Sequence, residues 1–112
     1  MKVINEGHRY ELANFENKET KGQEIQFIEK QEKVVSVDQR TNSIEKSLVT
    51  INDGTTNEEV IEVLIDRLNY LNAKFPCREN SLAITKLEEA LMWLNKRTSD
   101  RLKRGVEGTN QK

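Results

Sequence analysis

The feature that most constrains this chain is a short break, Phe75-Pro76-Cys77, between two stretches of helical period. Ahead of it, Thr56-Asn57-Glu58-Glu59 reads as a capping box, in which a hydroxyl and a carboxylate satisfy the first free amides of a helix. Val60, Leu64, Leu68, Leu71 and Phe75 follow at spacings of three and four, an apolar stripe that ends at Pro76. A second helix is expected from Cys77 or Arg78 to about Arg104, with Ile84, Leu87, Leu91 and Leu94 on its seam and Gly105 as its stop. So short a link turns the helices back into an antiparallel hairpin with facing seams. A second apolar strip, Ala83, Ala90 and Trp93 with Met92 beside it, is left over. One helix cannot cover both sides of another, so the strip needs a sheet or a second copy of the chain.

Upstream the period changes. Arg9–Phe15, Glu24–Ile28, Val34–Val37 and Leu48–Ile51 are short β-rich stretches between polar segments, and Asn17–Gly22 is the expected hairpin loop. Ile25 and Phe27 fall on one face and Gln26 on the other, as in a sheet wetted on one side. Asn52-Asp53-Gly54 turns the chain towards the helices. The expected fold is therefore α+β: a small antiparallel β-domain at residues 1–52, a two-helix hairpin that dimerises at 53–104, and a flexible tail at 105–112. A sheet of this size buries too little apolar surface to be secure alone.

Composition narrows the function. With 18 lysines and arginines against 19 acids, the net charge of -1 gives no global attraction to DNA, RNA or an anionic membrane, so any anion site is local. No apolar run approaches the ~20 residues that span a bilayer, and Met1–Asn17 lacks an apolar core of signal-peptide length. Cys77 is a lone cysteine and His8 a lone histidine, which leaves no internal disulfide and no zinc-type cluster. The expectation is a cytosolic, metal-free protein without a cofactor.

The chemistry-bearing residues cluster near the helix ends. Trp93, Arg97, Arg101 and Arg104 fall on one face of helix two, and neither Arg97 nor Arg101 is counted in the Ile84–Leu94 seam. Guanidiniums grip phosphate oxygens in a fork and stack on flat rings, although the same strip also suits a solvated helix end facing its own dipole. On helix one, Val63, Arg67, Tyr70 and Lys74 line a flank where Tyr70 can stack a base or simply seal the core. Asn80, in the first turn of helix two, can offer its amide to a base or ribose or act as a cap. Asn80 and Arg97 are seventeen residues apart on one helix, ~25 Å, too far for one small ligand to bridge. Two hairpins packed antiparallel would bring the Tyr70 and Asn80 end of one beside the Arg97 and Arg101 end of the other.

The other signals are weaker. Glu58, Glu59 and Glu62 have the EExxE spacing of helical magnesium-dependent nucleotide pyrophosphatases, but the second carboxylate set is missing after Glu88 and Glu89. Cys77 reads as a small half-buried thiol, with no histidine placed to activate it. Phosphate loops and hydrolase elbows are absent. An interaction module presenting the Trp93 strip to a host protein is the third alternative.

The string Arg78-Glu79-Asn80-Ser81-Leu82-Ala83-Ile84-Thr85-Lys86-Leu87-Glu88-Glu89-Ala90-Leu91-Met92-Trp93 resembles the hairpin shared by phage anti-Thoeris and anti-CBASS sponge proteins. His8-Arg9-Tyr10-Glu11-Leu12-Ala13-Asn14-Phe15-Glu16 and Ile25-Gln26-Phe27-Ile28 are similar to the anti-Thoeris branch, so that the likeness spans nearly the whole chain. The resemblance implies a non-enzymatic trap that binds glyco-cyclic ADP-ribose signals made by TIR proteins and holds them unmodified in the cytoplasm of the infected host. It implies a β-domain followed by two helices, dimers that assemble into hexamers, and in some members a separate site for cyclic oligonucleotides. Carried over by residue, ring stacking falls on Tyr70, a polar contact on Asn80, and phosphate binding on Arg97 and Arg101. The family usually carries phenylalanine at the stacking position, so Tyr70 is a mild departure. A tail, Gly105–Lys112, that folds over the ligand would close the pocket.

Overall fold

In the computed structural model, which describes residues 1–105, five strands precede two helices. The chain is α+β, as the sequence indicates. It separates into two units, 1–56 and 57 onward.

The first unit holds two antiparallel β pieces instead of the single expected sheet. β1 (Lys2–Asn5), β2 (Arg9–Leu12) and β3 (Gln23–Gln26) form a three-stranded sheet in that order, while β4 (Glu29–Asp38) and β5 (Ser43–Asn52) form a separate two-stranded ribbon. β1 has no counterpart in the sequence reading, because Lys2–Asn5 is exposed throughout and carries no alternation. It pairs with β2 across a turn in which Gly7 takes a left-handed φ of 79°, a conformation that a Cβ disfavours. β2 ends at Leu12, three residues short of the expected Phe15. Its link to β3 therefore runs the whole way from 13 to 22, and the turn near Asn17 is only part of it.

The register sets Tyr10 opposite Ile25, and the Tyr10 ring meets Phe27 edge to face at 6.0 Å. Glu11 lies opposite Glu24, an unfavourable pair. The Arg9 guanidinium, bonded to the Glu24 carboxylate, offsets it and holds that carboxyl below its usual range, helped by Lys21. Beyond β3 the strand bends onto the 53–55 turn: Thr55 donates its N–H to Gln26 O (2.8 Å), and Ile28 donates to Thr55 O (2.9 Å). A Cβ on Gly54 would collide with the Gln26 carbonyl, which accounts for glycine at the expected Asn52-Asp53-Gly54 turn. Gln26 is not wetted as expected; it is half-buried, and its side chain donates to Phe27 O at 2.8 Å.

The second unit is the hairpin. α1 spans Asn57–Lys74, starting where the capping box places it, and α2 spans Arg78–Lys103. Their turn is held by Asn72, whose Oδ1 accepts from the Cys77 N–H (3.0 Å) and whose Nδ2 donates to Ser81 Oγ (3.1 Å). Cys77 is the N-cap of α2; its Sγ accepts from the Asn80 N–H at 3.4 Å. The thiol is exposed, not half-buried, because a cap sits outside the packed turns. The helices have 18 and 26 residues, about 27 and 39 Å, so with the Asn72–Ser81 contact fixing the closed end, the last two turns of α2 run past the start of α1.

The inner face of α1 differs from the expected stripe. Ile61, Ile65 and Leu68 are half-buried at spacings of four and three, in line with Asn72; of the expected stripe Val60, Leu68 and Leu71 are half-buried as well, whereas Leu64 is 44% and Phe75 77% exposed. Val60, Leu64 and Leu71 form a second apolar line on α1, turned about a quarter-turn from the first, with Phe75 just past the helix end. On α2 the seam is longer than expected. Asn80, Ile84, Leu87, Leu91, Leu94, Thr98 and Arg101 recur at alternating spacings of four and three, each half-buried or buried. Ile84 (8% exposed) is the buried hydrophobic residue among those described, so little of this chain's apolar surface is enclosed within one copy. The tail reading for 106–112 lies outside the described residues; Gly105, with φ 71°, follows the helix as the expected stop.

Candidate functional site

The cationic strip forms at the overhanging end of α2. Trp93, Lys96, Arg97, Asp100, Arg101 and Arg104 line a cleft of about 530 Å³, within the size range of small-molecule sites. Four cationic side chains and an indole converge on it, against one carboxylate. The helix C-terminus carries partial negative charge, which in part accounts for this basic end.

The two arginines differ in setting. Arg97 is exposed on the cleft wall, whereas Arg101 is 6% exposed and occupies the last position of the α2 seam. Neither lies in the Ile84–Leu94 stretch, but the four–three spacing runs on through Thr98 to Arg101, into the turns of α2 that run past α1. Arg101 is thereby pre-ordered, with most of its rotamer freedom already lost before any ligand arrives.

Lys96 and Asp100 were missed by the sequence reading. Their i, i+4 spacing is the only signal, and it is shared by any surface ion pair. Lys96 Nζ lies 2.9 Å from Asp100 Oδ2, a pairing that holds the Asp100 carboxyl below its usual value, with Lys103 and Arg104 adding to the effect. Asp100 therefore stays ionised as pH falls into the ordinary carboxylate range, and it opposes an incoming anion. Asp100→Asn removes the opposing charge and frees Lys96. It should tighten capture of inorganic pyrophosphate about three- to tenfold at low salt and steepen the salt dependence, read by calorimetric titration. Weaker binding by this variant would contradict the account of the cleft.

Tyr70 and Asn80 sit at the opposite, closed end of the hairpin. Tyr70 is 54% exposed, with Lys74 Nζ over its ring at 4.6 Å. Asn80 spends its backbone N–H on Cys77 Sγ, and its half-buried side-chain amide makes no hydrogen bond among the described residues. α2 is continuous from Arg78 to Lys103, so ~25 Å separates Asn80 from Arg97. The structure brings Arg97 and Arg101 together in one cleft and leaves Tyr70 and Asn80 at the far end of the same chain.

Met92 and Trp93 do not share a strip. Trp93 lines the cationic cleft, while Met92 lines a groove on the other flank, with Glu62, Ile65, Asp66, Asn69, Glu88, Leu91 and Asn95. Glu58, Glu59 and Glu62 occupy the first turns of α1, and among the described residues no group of three or more His, Cys, Asp or Glu side chains is placed to hold a metal ion. Among those residues, too, no helix is long and apolar enough to cross a membrane.

A β-unit leading into an antiparallel helical hairpin, with a tryptophan-backed arginine cleft where the second helix outruns the first, defines a small α+β hairpin protein. Residues 25–99 match the model of the Acb2/Tad1 hairpin domain, and the chain belongs to that family. A relative named Thoeris anti-defense 1, from Bacillus phage SBSphiJ7, is 62% identical over 61 residues, which cover 54% of this chain. The match spans 43% of that relative's length, so the two share less than half of the longer protein. The family match contains Tyr70, Asn80 and Arg97, ends two residues before Arg101, and leaves out His8–Glu16.

Proposed function

We propose that this chain is a phage anti-defence protein that captures glyco-cyclic ADP-ribose signals made by TIR proteins and holds them unmodified in the cytoplasm of the infected host. The observation that carries the reading is the Trp93, Arg97 and Arg101 cleft in a hairpin of the Acb2/Tad1 family. Such a signal presents a pyrophosphate and a flat base. The fork of a guanidinium suits the first, and an indole or phenol the second. Sequestration needs affinity without turnover, and charge-assisted hydrogen bonds of ~1.5–3 kcal/mol each, made by a pre-ordered side chain such as Arg101, supply it.

The complete site is built by two copies. Tyr70 and Asn80 of one hairpin meet Arg97 and Arg101 of another packed head to tail, giving two sites per dimer. The second apolar line supports this pairing: half-buried Val60 and Leu71 with exposed Leu64 on α1, and exposed Phe75 just after it, lie beside Ala83 and Ala90 on α2 and offer long side chains next to small ones. Dimers of this kind assemble further into hexamers.

Capture and release distinguish this reading from catalysis. The purified protein is mixed with glyco-cyclic ADP-ribose, freed of unbound ligand by filtration, and heated. Recovery of the intact signal, in about one equivalent per chain, is the expected result. Recovery of a hydrolysed product, formed only when magnesium is present, would assign the chain instead to the pyrophosphatase reading of Glu58, Glu59 and Glu62.

A further inference from the structure

The groove on the second flank of the hairpin is opposite in charge to the capture cleft. It has a volume of about 440 Å³, and Glu62, Asp66 and Glu88 line it with no lysine or arginine among the lining residues. None of the three carboxylates has an ion-pair partner among the described residues. Glu62 and Asp66 stand at i, i+4 on α1, where two like charges destabilise a helix. A cation brought by an occupant would offset that repulsion.

The placing of apolar and charged groups decides what fits. Ile65 and Leu91 belong to the facing sides of α1 and α2 and are half-buried, so they form a hydrocarbon floor between the helices. Met92, 53% exposed, adds an adaptable thioether beside Leu91. Glu62 and Asp66 stand further round α1 and Glu88 further round α2, which puts acid on both rims. The groove runs for about two turns of each helix, from Glu62 to Asn69 and from Glu88 to Asn95, ~10 Å. That length accepts the i, i+3 or i+4, and i+7 anchors of a helix laid in a groove. Acid on both rims with hydrocarbon between them complements an apolar stripe flanked on each side by lysine or arginine. A small polycation would lay its charge along the apolar floor instead.

We propose that the groove bearing Glu62, Asp66 and Glu88 docks a basic amphipathic helix of a partner protein, which packs against α1 and α2 as a third helix. The line of Val60, Leu64 and Leu71 lies on the opposite side of α1, and the arginine cleft lies on the opposite flank of the hairpin. The docked helix therefore leaves the capture site free.

The probe is a synthetic lysine–leucine peptide with its leucines at spacings of three and four, titrated against the full chain by fluorescence anisotropy. The expected result is saturable binding of one peptide per hairpin, at least tenfold tighter than that of a scrambled peptide of the same composition. Asp66→Lys with Glu88→Lys should weaken it at least thirtyfold and leave retention of glyco-cyclic ADP-ribose unchanged. The neutral pair Asp66→Asn with Glu88→Gln should weaken it at least fivefold, with the melting temperature kept or raised because one of two like charges on α1 is gone. Glu16→Lys with Glu19→Lys, an equal change in net charge at exposed residues outside the hairpin, should stay within twofold of the parent. No peptide binding, equal binding of the scrambled peptide, or an equal loss in the Glu16 and Glu19 variant overturns the proposal. So does a fall in assembly mass of the Asp66→Lys, Glu88→Lys protein without peptide, which would give the groove to a second copy of the chain.

Discussion

Arg97→Ala should lower retention of glyco-cyclic ADP-ribose at least a hundredfold while leaving thermal unfolding within a few degrees of the parent. Arg97 is exposed on the cleft wall, so truncation removes little packing. What it removes is a pair of charge-assisted hydrogen bonds, ~1.5–3 kcal/mol each, made by the exposed guanidinium on the cleft wall. Arg101 needs a different substitution, because it closes the α2 seam at 6% exposure. Arg101→Ala would confuse lost packing with lost charge. Arg101→Leu keeps apolar bulk there, but Arg101 is engaged in a contact of its own, and removing one member of a buried pair is destabilising. Its expected signature is therefore binding lost and the melting temperature lowered, with the helical circular dichroism kept. If Arg101→Leu retained the ligand after filtration, the buried guanidinium would have no part in capture.

The second large effect comes from a residue that touches no proposed ligand atom. Leu64 is already 44% exposed in the single chain, so Leu64→Asp costs the hairpin little on its own. In a head-to-tail dimer the same change buries two carboxylates without partners, which should weaken association at least a hundredfold. Ligand retention should fall with it, since each half of the site then stands alone. Val63→Asp, one residue away on the outward side of α1, is the control and should change neither mass nor binding. Leu64→Asp protein that stays dimeric and keeps the signal would exclude pairing through this face.

The helices were legible because their signals are local and redundant: a capping box, a proline at the break, and the leucines of α2. Which side of α1 meets α2 was not legible. Val60, Leu64, Leu71 and Phe75 have as good a helical period as Ile61, Ile65 and Leu68, and periodicity cannot rank two apolar faces on one helix. The strands fared worse for the opposite reason. β4 and β5 were expected as four residues each and run to ten, because a ribbon that buries neither face has no alternation to display, and Glu29–Lys33 is charged where a strand is usually read from its hydrophobes. At the candidate site the arginine spacing pointed to the cleft. The clamp at the turn did not show itself, because Asn72 looks like any polar helix residue until Cys77 and Ser81 are folded against it.

The seam of α2 begins with an amide at Asn80 and ends with a guanidinium at Arg101, with aliphatic residues from Ile84 to Leu94 between them. Polar groups at such positions set alignment in helical assemblies, because sliding a neighbour by one heptad forces them against hydrocarbon. Asn80 and Arg101 thus bracket the aliphatic stretch, and α1 lies along α2 where its own apolar residues meet Ile84 to Leu94.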